Sequence, residues 1–404
     1  MTDIGESSDE LVAHGGDDDD DDDGDHVRSW SSQGNPIPET GEFFQAQGTN
    51  GRSCGTCHSS GDGWAFNVDT ANEVFDATGG LDPLFSRLDA DIPTLTDAQI
   101  DAMTVEERRG VFTQLLQARF TRNITAPATR DFDLTAVSDP FGVSSTATQR
   151  MWFFRRSMPT ANFKSHTVSW DSANTVGTVL RDGLIRQARG NVTGAQEGPA
   201  APDAVIFEIV DFEMAISNAA VTAAGVGRLD KHGGKGGPKN HQNQPLVAGR
   251  FDLYDAFQHS HNPHKRAIYR GQELFNNGDH NGKKCGGCHN AANSGQNVGG
   301  ALFNVGASNP QFATSDMAVF TFTQRVTGTT VVLTDPGRGG RNGVFADLGK
   351  FKTPTLRGLL ARDAYFHNGA AGSLEEVVDL YETTLGFDFT AREERDLVAF
   401  LTAL

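Results

Sequence analysis

The sequence has 404 residues, of which 52 are acidic and 34 are basic, and a formal net charge of −18. This charge disfavours nucleic acid and anionic lipid as partners, because both are bound by clustered Lys and Arg side chains. A hydrophobic content of 37% with 27 Phe is enough for buried cores, and the length suggests two or three domains. No run of about 18 apolar residues occurs, so no membrane span is predicted.

Residues 1–38 are predicted to form an acidic, disordered tail. An unbroken run of Asp occupies residues 17–23. A block of like charges repels itself and cannot bury enough apolar surface to fold. We therefore expect the folded part of the chain to begin after this tail.

The first motif that carries chemistry is a C-x-x-C-H run at residues 54–58, and the same run returns at residues 285–289. This spacing is the attachment signature of c-type haem, in which two thiols form thioethers and the histidine reaches the iron. The runs use all four cysteines, so none remains for a disulfide or a zinc site. The sequence therefore predicts two covalently bound haem c groups, held by Cys54, Cys57, His58, Cys285, Cys288 and His289.

The two haem runs also indicate in which compartment of the cell the protein is found. Covalent haem c is normally attached outside the cytoplasm, which requires export. Residues 1–16 contain neither a basic segment nor an apolar one, so they do not form a signal peptide. We therefore expect a periplasmic or otherwise exported protein whose leader has been removed from this sequence or replaced.

The residues that precede the two haem runs repeat one another. Glu, Phe, Asn and Gly stand at the same distances before the first cysteine of each run, which indicates one module present twice. Further helices are predicted over residues 104–120 and 204–220. A Gly-, Lys- and Asn-rich stretch at residues 232–244 is predicted to be a linker. We therefore predict a first haem domain at residues 39–240 and a second at residues 241–404.

The second copy of the module contains the clearer helix signals. Asn262 is predicted to cap a helix that has Pro263 at its first position. Near the carboxyl end, residues 373–376 and 390–393 each form a capping box. The helix that starts at the first box places Tyr381 on the same face as Leu374, Val377 and Val378, so this tyrosine is predicted to point inward.

Two further runs carry a resemblance to a known family. F-K-T-P-T-L-R at residues 351–357 and Y-F-H-N-G at residues 365–369, together with the two haem runs, resemble the dihaem bacterial cytochrome c peroxidase superfamily. This superfamily includes the methylamine-utilisation dihaem enzyme, which matures a tryptophan-derived cofactor. The resemblance implies a mainly α fold of two cytochrome-c-like helical haem domains with long irregular loops. It also implies that peroxide binds at the first haem and that the second haem supplies electrons.

The resemblance assigns candidate catalytic residues around the first haem. Trp170 resembles the tryptophan that relays electrons between the haems. Residues 172–173 differ from the Gly-Arg that follows this tryptophan and its aspartate in the family. The alternative is that Trp170 is an ordinary core tryptophan. Gln187 resembles a glutamine on the peroxide side. Glu197, ten residues further on, matches the position of an acid-base carboxylate. The alternative for Glu197 is a carboxylate in a surface loop.

The resemblance also assigns an iron ligand in the second domain. In the peroxidases a methionine stands fourteen residues after the histidine of the Y-F-H-N-G run, and here that position is Tyr381. Tyrosine is the ligand in the methylamine-utilisation enzyme, and an oxygen ligand lowers the reduction potential relative to a His/Met haem. The alternatives are Met317 or His367 as the ligand, and Tyr381 as a core tyrosine.

No residue stands out as a second ligand for the first iron. Residues 138–163 contain no histidine, and His166 is the nearest candidate. We therefore predict a first haem that is five-coordinate or water-ligated and open to peroxide without prior reduction. The family also has an interdomain calcium ion, but Arg362 and Ala364 replace the usual Thr and Pro, so the match to the Ca²⁺ site is incomplete.

The predicted function is that of an exported dihaem c-type oxidoreductase that reacts with hydrogen peroxide at the first haem. Its redox partner is expected to be a small cytochrome, a cupredoxin or a protein substrate whose side chain is oxidised. The alternative is an electron-transfer cytochrome with no catalysis, which needs two six-coordinate irons. Nothing in the sequence indicates an oligomeric state.

Overall fold

The computed structural model describes residues 26–404. The Asp run at residues 17–23 lies outside this part of the chain. Strand β1, at His26–Ser31, falls within the predicted tail and is paired with a strand of the first half. The remaining strands are β2 Arg119–Thr125, β3 Phe132–Ser138, β4 Arg150–Arg156, β5 Ile216–Ala223, β6 Gly227–Arg228, β7 Leu302–Phe303, β8 Val319–Gln324, β9 Thr330–Leu333 and β10 Phe351–Lys352.

The α-helices of residues 26–404 lie between and after the two haem runs in the chain. They are α1 Val68–Thr78, α2 Asp97–Asp101, α3 Val105–Val111, α4 Leu180–Thr193, α5 Asp203–Ala215, α6 Pro238–Gln242, α7 Pro263–Asn277, α8 Gly339–Asn342, α9 Leu374–Leu385 and α10 Ala391–Thr402. Among these residues, no helix is both long and apolar enough to cross a membrane.

The predicted mainly α class is wrong, because the chain is 32% helix and 15% strand and is therefore mixed α and β. The strands come from segments in which aromatic and β-branched residues are concentrated. In β8, Phe320 and Phe322 are buried on one face, while threonines alternate with them on the other. This period of two was present in the sequence, but the family resemblance favoured helices.

One antiparallel sheet joins the two halves of the chain. Its strand order is β3-β8-β9, and Phe132 pairs with Gln324 while Ser138 pairs with Val319. Phe132 packs edge-on against Phe322 at a centroid distance of 5.4 Å, so the sheet carries its own apolar core. Residues on both sides of the predicted boundary at 240/241 therefore share one sheet.

The first long helix of the second module begins as its cap predicts, whereas the capping box predicted at residues 373–376 is half formed, because the Glu376 carboxylate accepts from the Gly372 amide. Asn262 accepts hydrogen bonds from the backbone of His264 at 2.8 Å, and Pro263 is the first residue of α7. Helix α7 crosses α10 at Gly271, where a Cβ atom would lie 1.9 Å from the carbonyl oxygen of Asp396. Only glycine allows the two helix backbones to approach so closely. The second haem run follows α7 in the chain and is held near α10 by this contact.

The predicted helix over residues 204–220 is shorter in the structure. Helix α5 ends at Ala215, and the chain continues directly into β5 from Ile216. Strand β5 pairs with β1 from Ile216 to Thr222, so sheet pairing replaces the last helical turn.

The capping box of α10 gives a stability prediction. The Thr390 hydroxyl accepts a hydrogen bond from the Glu393 amide at 3.3 Å, and the Glu393 carboxylate accepts one from the Thr390 amide at 2.8 Å. Thr390→Ala is expected to lower the free energy of unfolding by about 1 kcal/mol, measured by urea unfolding. Thr146→Ala, at an exposed threonine without a side-chain hydrogen bond, is the control. Equal losses in the two variants would contradict a role for the cap.

Candidate haem-binding cavities

The first haem run opens into a cavity of about 660 Å³, whose wall contains Cys54, Cys57 and His58. The Nδ1 atom of His58 lies 3.1 Å from the carbonyl oxygen of Trp64. Burial lowers the pKa of His58 to about 4, so the ring is neutral at pH 7. Because a carbonyl only accepts, Nδ1 carries the proton and Nε2 is left free to bind a metal.

The second haem run has the same construction around a cavity of about 190 Å³. The Nδ1 atom of His289 lies 2.6 Å from the carbonyl oxygen of Gly295, six residues further along, as Trp64 lies six residues after His58. Burial lowers the pKa of His289 to about 4. Each histidine is therefore oriented by its own loop with Nε2 available.

The cysteines and the polar wall of the first cavity fit a haem c group. All four cysteines are free thiols, as thioether formation to a haem requires. Several buried side-chain atoms in the wall of the first cavity have no hydrogen-bond partner within residues 26–404: Oγ1 of Thr121 and Thr160, Nε1 of Trp152, Oε1 of Gln187 and Oε2 of Glu213. Unpaired buried polar atoms are rare, so a bound group or water is expected to meet them.

Trp170 lies in the wall that the two cavities share, and it lines both of them. Its Nε1 atom donates a hydrogen bond to the carbonyl oxygen of Arg156 at 3.0 Å, which fixes the ring. The Trp170 ring is 6.3 Å from the ring of His367. The role of Trp170 as an electron relay stays a prediction.

Asp171, the neighbour of Trp170, belongs to a buried ion network. Its carboxylate is 2.7 Å from Arg155 and 3.0 Å from Arg341. Burial alone would raise the pKa of Asp171, but the two guanidinium groups hold it well below its usual range. Arg155 also pairs with Asp335 at 2.7 Å, so this network anchors the shared wall to β4.

The structure separates the two residues predicted to lie on the peroxide side. Gln187, on α4, lines the first cavity. Glu197 forms an ion pair with Arg87 and is not among the described residues that line this cavity, although the preceding Gln196 is. Glu197 has a φ of 53°, in the left-handed region, and its partner Arg87 is itself a residue of the cavity wall.

Glu213 is a candidate that the sequence analysis missed. It lies on α5, is 2% exposed and lines the first cavity, and its Oε2 atom has no partner. Burial raises the pKa of Glu213 to about 8, so the carboxyl group is mostly protonated at pH 7. The available signal was its spacing of four residues from Ile209, which places a carboxyl on an apolar helix face.

Tyr381 lies in the second cavity together with Cys285, Cys288 and His289. Its ring packs edge-on against Phe366 at a centroid distance of 5.7 Å. Its hydroxyl group makes no hydrogen bond to any residue of the described part of the chain. Burial raises the pKa of Tyr381, so a positive charge such as a metal ion is needed to ionise it.

The alternative ligands are placed differently. Met317 lines a separate small cavity beside Asp335 and is not in the wall of the second cavity. His367 does line the second cavity, but its Nε2 atom is 3.1 Å from the Ser308 hydroxyl and its ring stacks on Phe351. Of the three, Tyr381 alone lines the second cavity with no hydrogen bond to its functional group.

Two other predicted features remain without support. His166 lines neither cavity. Within residues 26–404 there is no group of three or more His, Cys, Asp or Glu side chains that could hold a metal ion. Calcium stays a prediction from the family resemblance.

Comparisons with known proteins agree with this resemblance over part of the chain. No protein-family model matches the sequence. A segment of 69 residues is 41% identical to the cytochrome-c peroxidase IdrP1 of a Pseudomonas species and covers 14% of this chain and 18% of that protein. A segment of 65 residues is 45% identical to the methylamine utilization protein MauG of Methylorubrum extorquens and covers 13% of this chain and 18% of MauG. The chain thus matches less than a fifth of the length of these relatives.

The predicted resemblance to the dihaem peroxidases is confirmed over these segments, at 40–45% identity. Among solved structures, a hydrazine synthase from Kuenenia stuttgartiensis covers 66% of this chain and 76% of its own at 14% identity, with a TM-score of 0.34. A score this low does not establish a common fold.

Proposed function

We propose that this chain is a dihaem c-type oxidoreductase that reacts with hydrogen peroxide at the first cavity and exchanges electrons through the second. One observation carries the proposal: both C-x-x-C-H runs end in a cavity with a histidine oriented through Nδ1, and Trp170 lies in the wall between the cavities. Residues 39–240 would form the peroxide-reactive region and residues 241–404 the electron-transfer region.

The haems, when bound, would supply the iron that takes up peroxide and the electrons for its reduction. The thiols of each run would hold one haem, and Nε2 of His58 or His289 would bind its iron. Trp170, which is fixed by its hydrogen bond to Arg156, would provide the aromatic group through which electrons pass.

The chain's own residues would also handle protons. Reduction of peroxide to two waters consumes two protons, and a general acid in the cavity speeds such a step by about 10²- to 10⁴-fold. We assign this role to Glu213 in preference to Glu197, because the protonated carboxyl of Glu213 faces the first cavity and Glu197 pairs with Arg87. Gln187 would orient the bound peroxide through its amide.

Tyr381 bears on the physiological reaction. An oxygen ligand on the second iron stabilises the ferric state, which favours storing oxidising equivalents over holding reducing ones. We therefore favour oxidation of a side chain in a partner protein over removal of peroxide with electrons from a small cytochrome or cupredoxin. Because haem c is normally attached outside the cytoplasm, we propose an exported, periplasmic protein.

The ferric absorption spectrum tests the proposal against a non-catalytic electron carrier. An enzyme is expected to show a high-spin component that shifts when one equivalent of peroxide is added, because the first iron keeps an open position. A carrier has two low-spin haems that do not respond to peroxide. A spectrum of the second kind would overturn the proposed function.

A further inference from the structure

Cations without carboxylate partners line both cavities, although the whole chain carries a net charge of −18. In the first cavity one such cation is Arg122, on β2, and another is Lys352, which donates to the carbonyl oxygen of Thr167. The Nη1 atom of Arg122 donates a hydrogen bond to the carbonyl oxygen of Thr121 at 2.7 Å, and no carboxylate of residues 26–404 lies within ion-pair distance. The rest of its guanidinium group is therefore unpaired.

Among Arg122 and the neighbouring charged side chains of the Asp171 network, positive charges exceed negative charges by one. Arg155 and Arg341 are bound by Asp171, and Arg155 is also bound by Asp335. These two arginines and two aspartates balance each other, so Arg122 adds a charge that no side chain of this network neutralises. Burial and the charges of Arg155 and Arg341 lower the pKa of Arg122, and the charges of Asp89 and Asp171 offset only part of this shift.

The second cavity shows the same pattern at Arg362. Its Nη2 atom donates to the carbonyl oxygen of Arg357 at 2.9 Å, and its buried Nε atom has no partner. Among the described residues that line this cavity there are four Arg or Lys and no Asp or Glu. Arg156, the other arginine in the wall, is paired with Asp363 at 2.6 Å, so Arg362 is the arginine of this wall that has no carboxylate partner in residues 26–404.

A buried guanidinium without a counter-charge is strongly destabilising, whereas a guanidinium paired with a carboxylate forms a two-pronged, charge-assisted contact. Each haem carries two propionate groups, which are carboxylates that enter the cavity with the ring. We propose that Arg122 binds a propionate of the first haem and that Arg362 binds a propionate of the second. The inference rests on the haem attachment in the proposed function and is independent of the reaction.

The test is a potentiometric titration of the holoprotein, in which two redox transitions are followed by absorbance. Arg122→Gln is expected to move one transition to a more negative potential, because a lost positive charge near the iron favours the ferric state. Arg362→Gln is expected to move the other transition, and Lys at either position should restore most of the shift. Arg325→Gln, which removes an exposed cation paired with Asp133 outside both cavities, is the control. Shifts no larger than the control's in both Gln variants would overturn the proposal.

If a Gln variant does not fold, a second measurement tests whether Arg122 and Arg362 bind the propionates. In a structure of the wild-type holoprotein, a propionate oxygen is expected within about 3.2 Å of each guanidinium group. Propionates turned away from both arginines, with water or a small anion in their place, would overturn the proposal. A haem assay of the purified protein separates the two hypotheses, since a protein without covalent haem would refute the proposed function itself.

Discussion

Tyr381→Phe is expected to change the spectrum of the second haem and to raise its reduction potential. The phenol oxygen lies in the same cavity as His289 and has no other partner in the described chain, so its removal takes away the only oxygen donor proposed for that iron. Loss of an oxygen ligand removes a preference for ferric iron. The measurements are the ferric absorption spectrum and a redox titration.

Tyr365→Phe is the matched control for this variant. Tyr365 lines the same cavity, but its hydroxyl group donates a hydrogen bond to the carbonyl oxygen of Leu359 at 3.2 Å. The control should leave the second haem's spectrum unchanged. If Tyr381→Phe and Tyr365→Phe have the same spectrum as the wild type, Tyr381 is a core residue and not a ligand.

Glu213→Gln is expected to slow peroxide consumption by about 10²-fold or more, while Glu197→Gln changes the rate by less than about threefold. The two substitutions are chemically identical, and the side chains differ in direction: Glu213 faces the first cavity, whereas Glu197 pairs with Arg87. Stopped-flow absorbance under stoichiometric peroxide measures both rates. Equal rates for the two variants would remove Glu213 from the mechanism.

The pH profile provides an independent check of Glu213. A general acid acts only while protonated, and burial raises the pKa of Glu213 to about 8. The wild-type rate is therefore expected to be constant near pH 6 to 7 and to fall as the pH rises through about 8. Glu213→Gln should lose this alkaline limb, because glutamine does not titrate. An alkaline limb of the same midpoint in the variant would assign the titration to another group.

The sequence predicted those features that depend on local chemistry. The C-x-x-C-H runs, the start of α7 at Pro263 and the capping box at Thr390 each need only a few neighbouring residues, and the structure contains them as expected. The mainly α class was wrong because strands such as β3 and β8 form only when distant segments meet. The alternation in β8 is a local signal for a strand, but its partner strand lies far away in the chain and cannot be inferred from that signal.

The candidate site shows the same difference between features that depend on neighbouring residues and features that depend on distant ones. Spacing placed Tyr381 on an inward helix face, and it does line the second cavity. The direction of Glu197 depends on its left-handed backbone and on Arg87, which is 110 residues away in the chain. The importance of Glu213 depends on burial by elements that are remote in sequence. Neither could be obtained from a motif.

The β3-β8 ladder has a consequence for the independence of the two halves of the chain. Each half contains one of the two haem runs, at residues 54–58 and 285–289, and each contributes one strand to the ladder. Either half on its own would have an unpaired strand edge, with Phe132 or Phe322 exposed to solvent. Exposed edges of this kind promote aggregation. We therefore expect each half to depend on the other for a covered sheet edge.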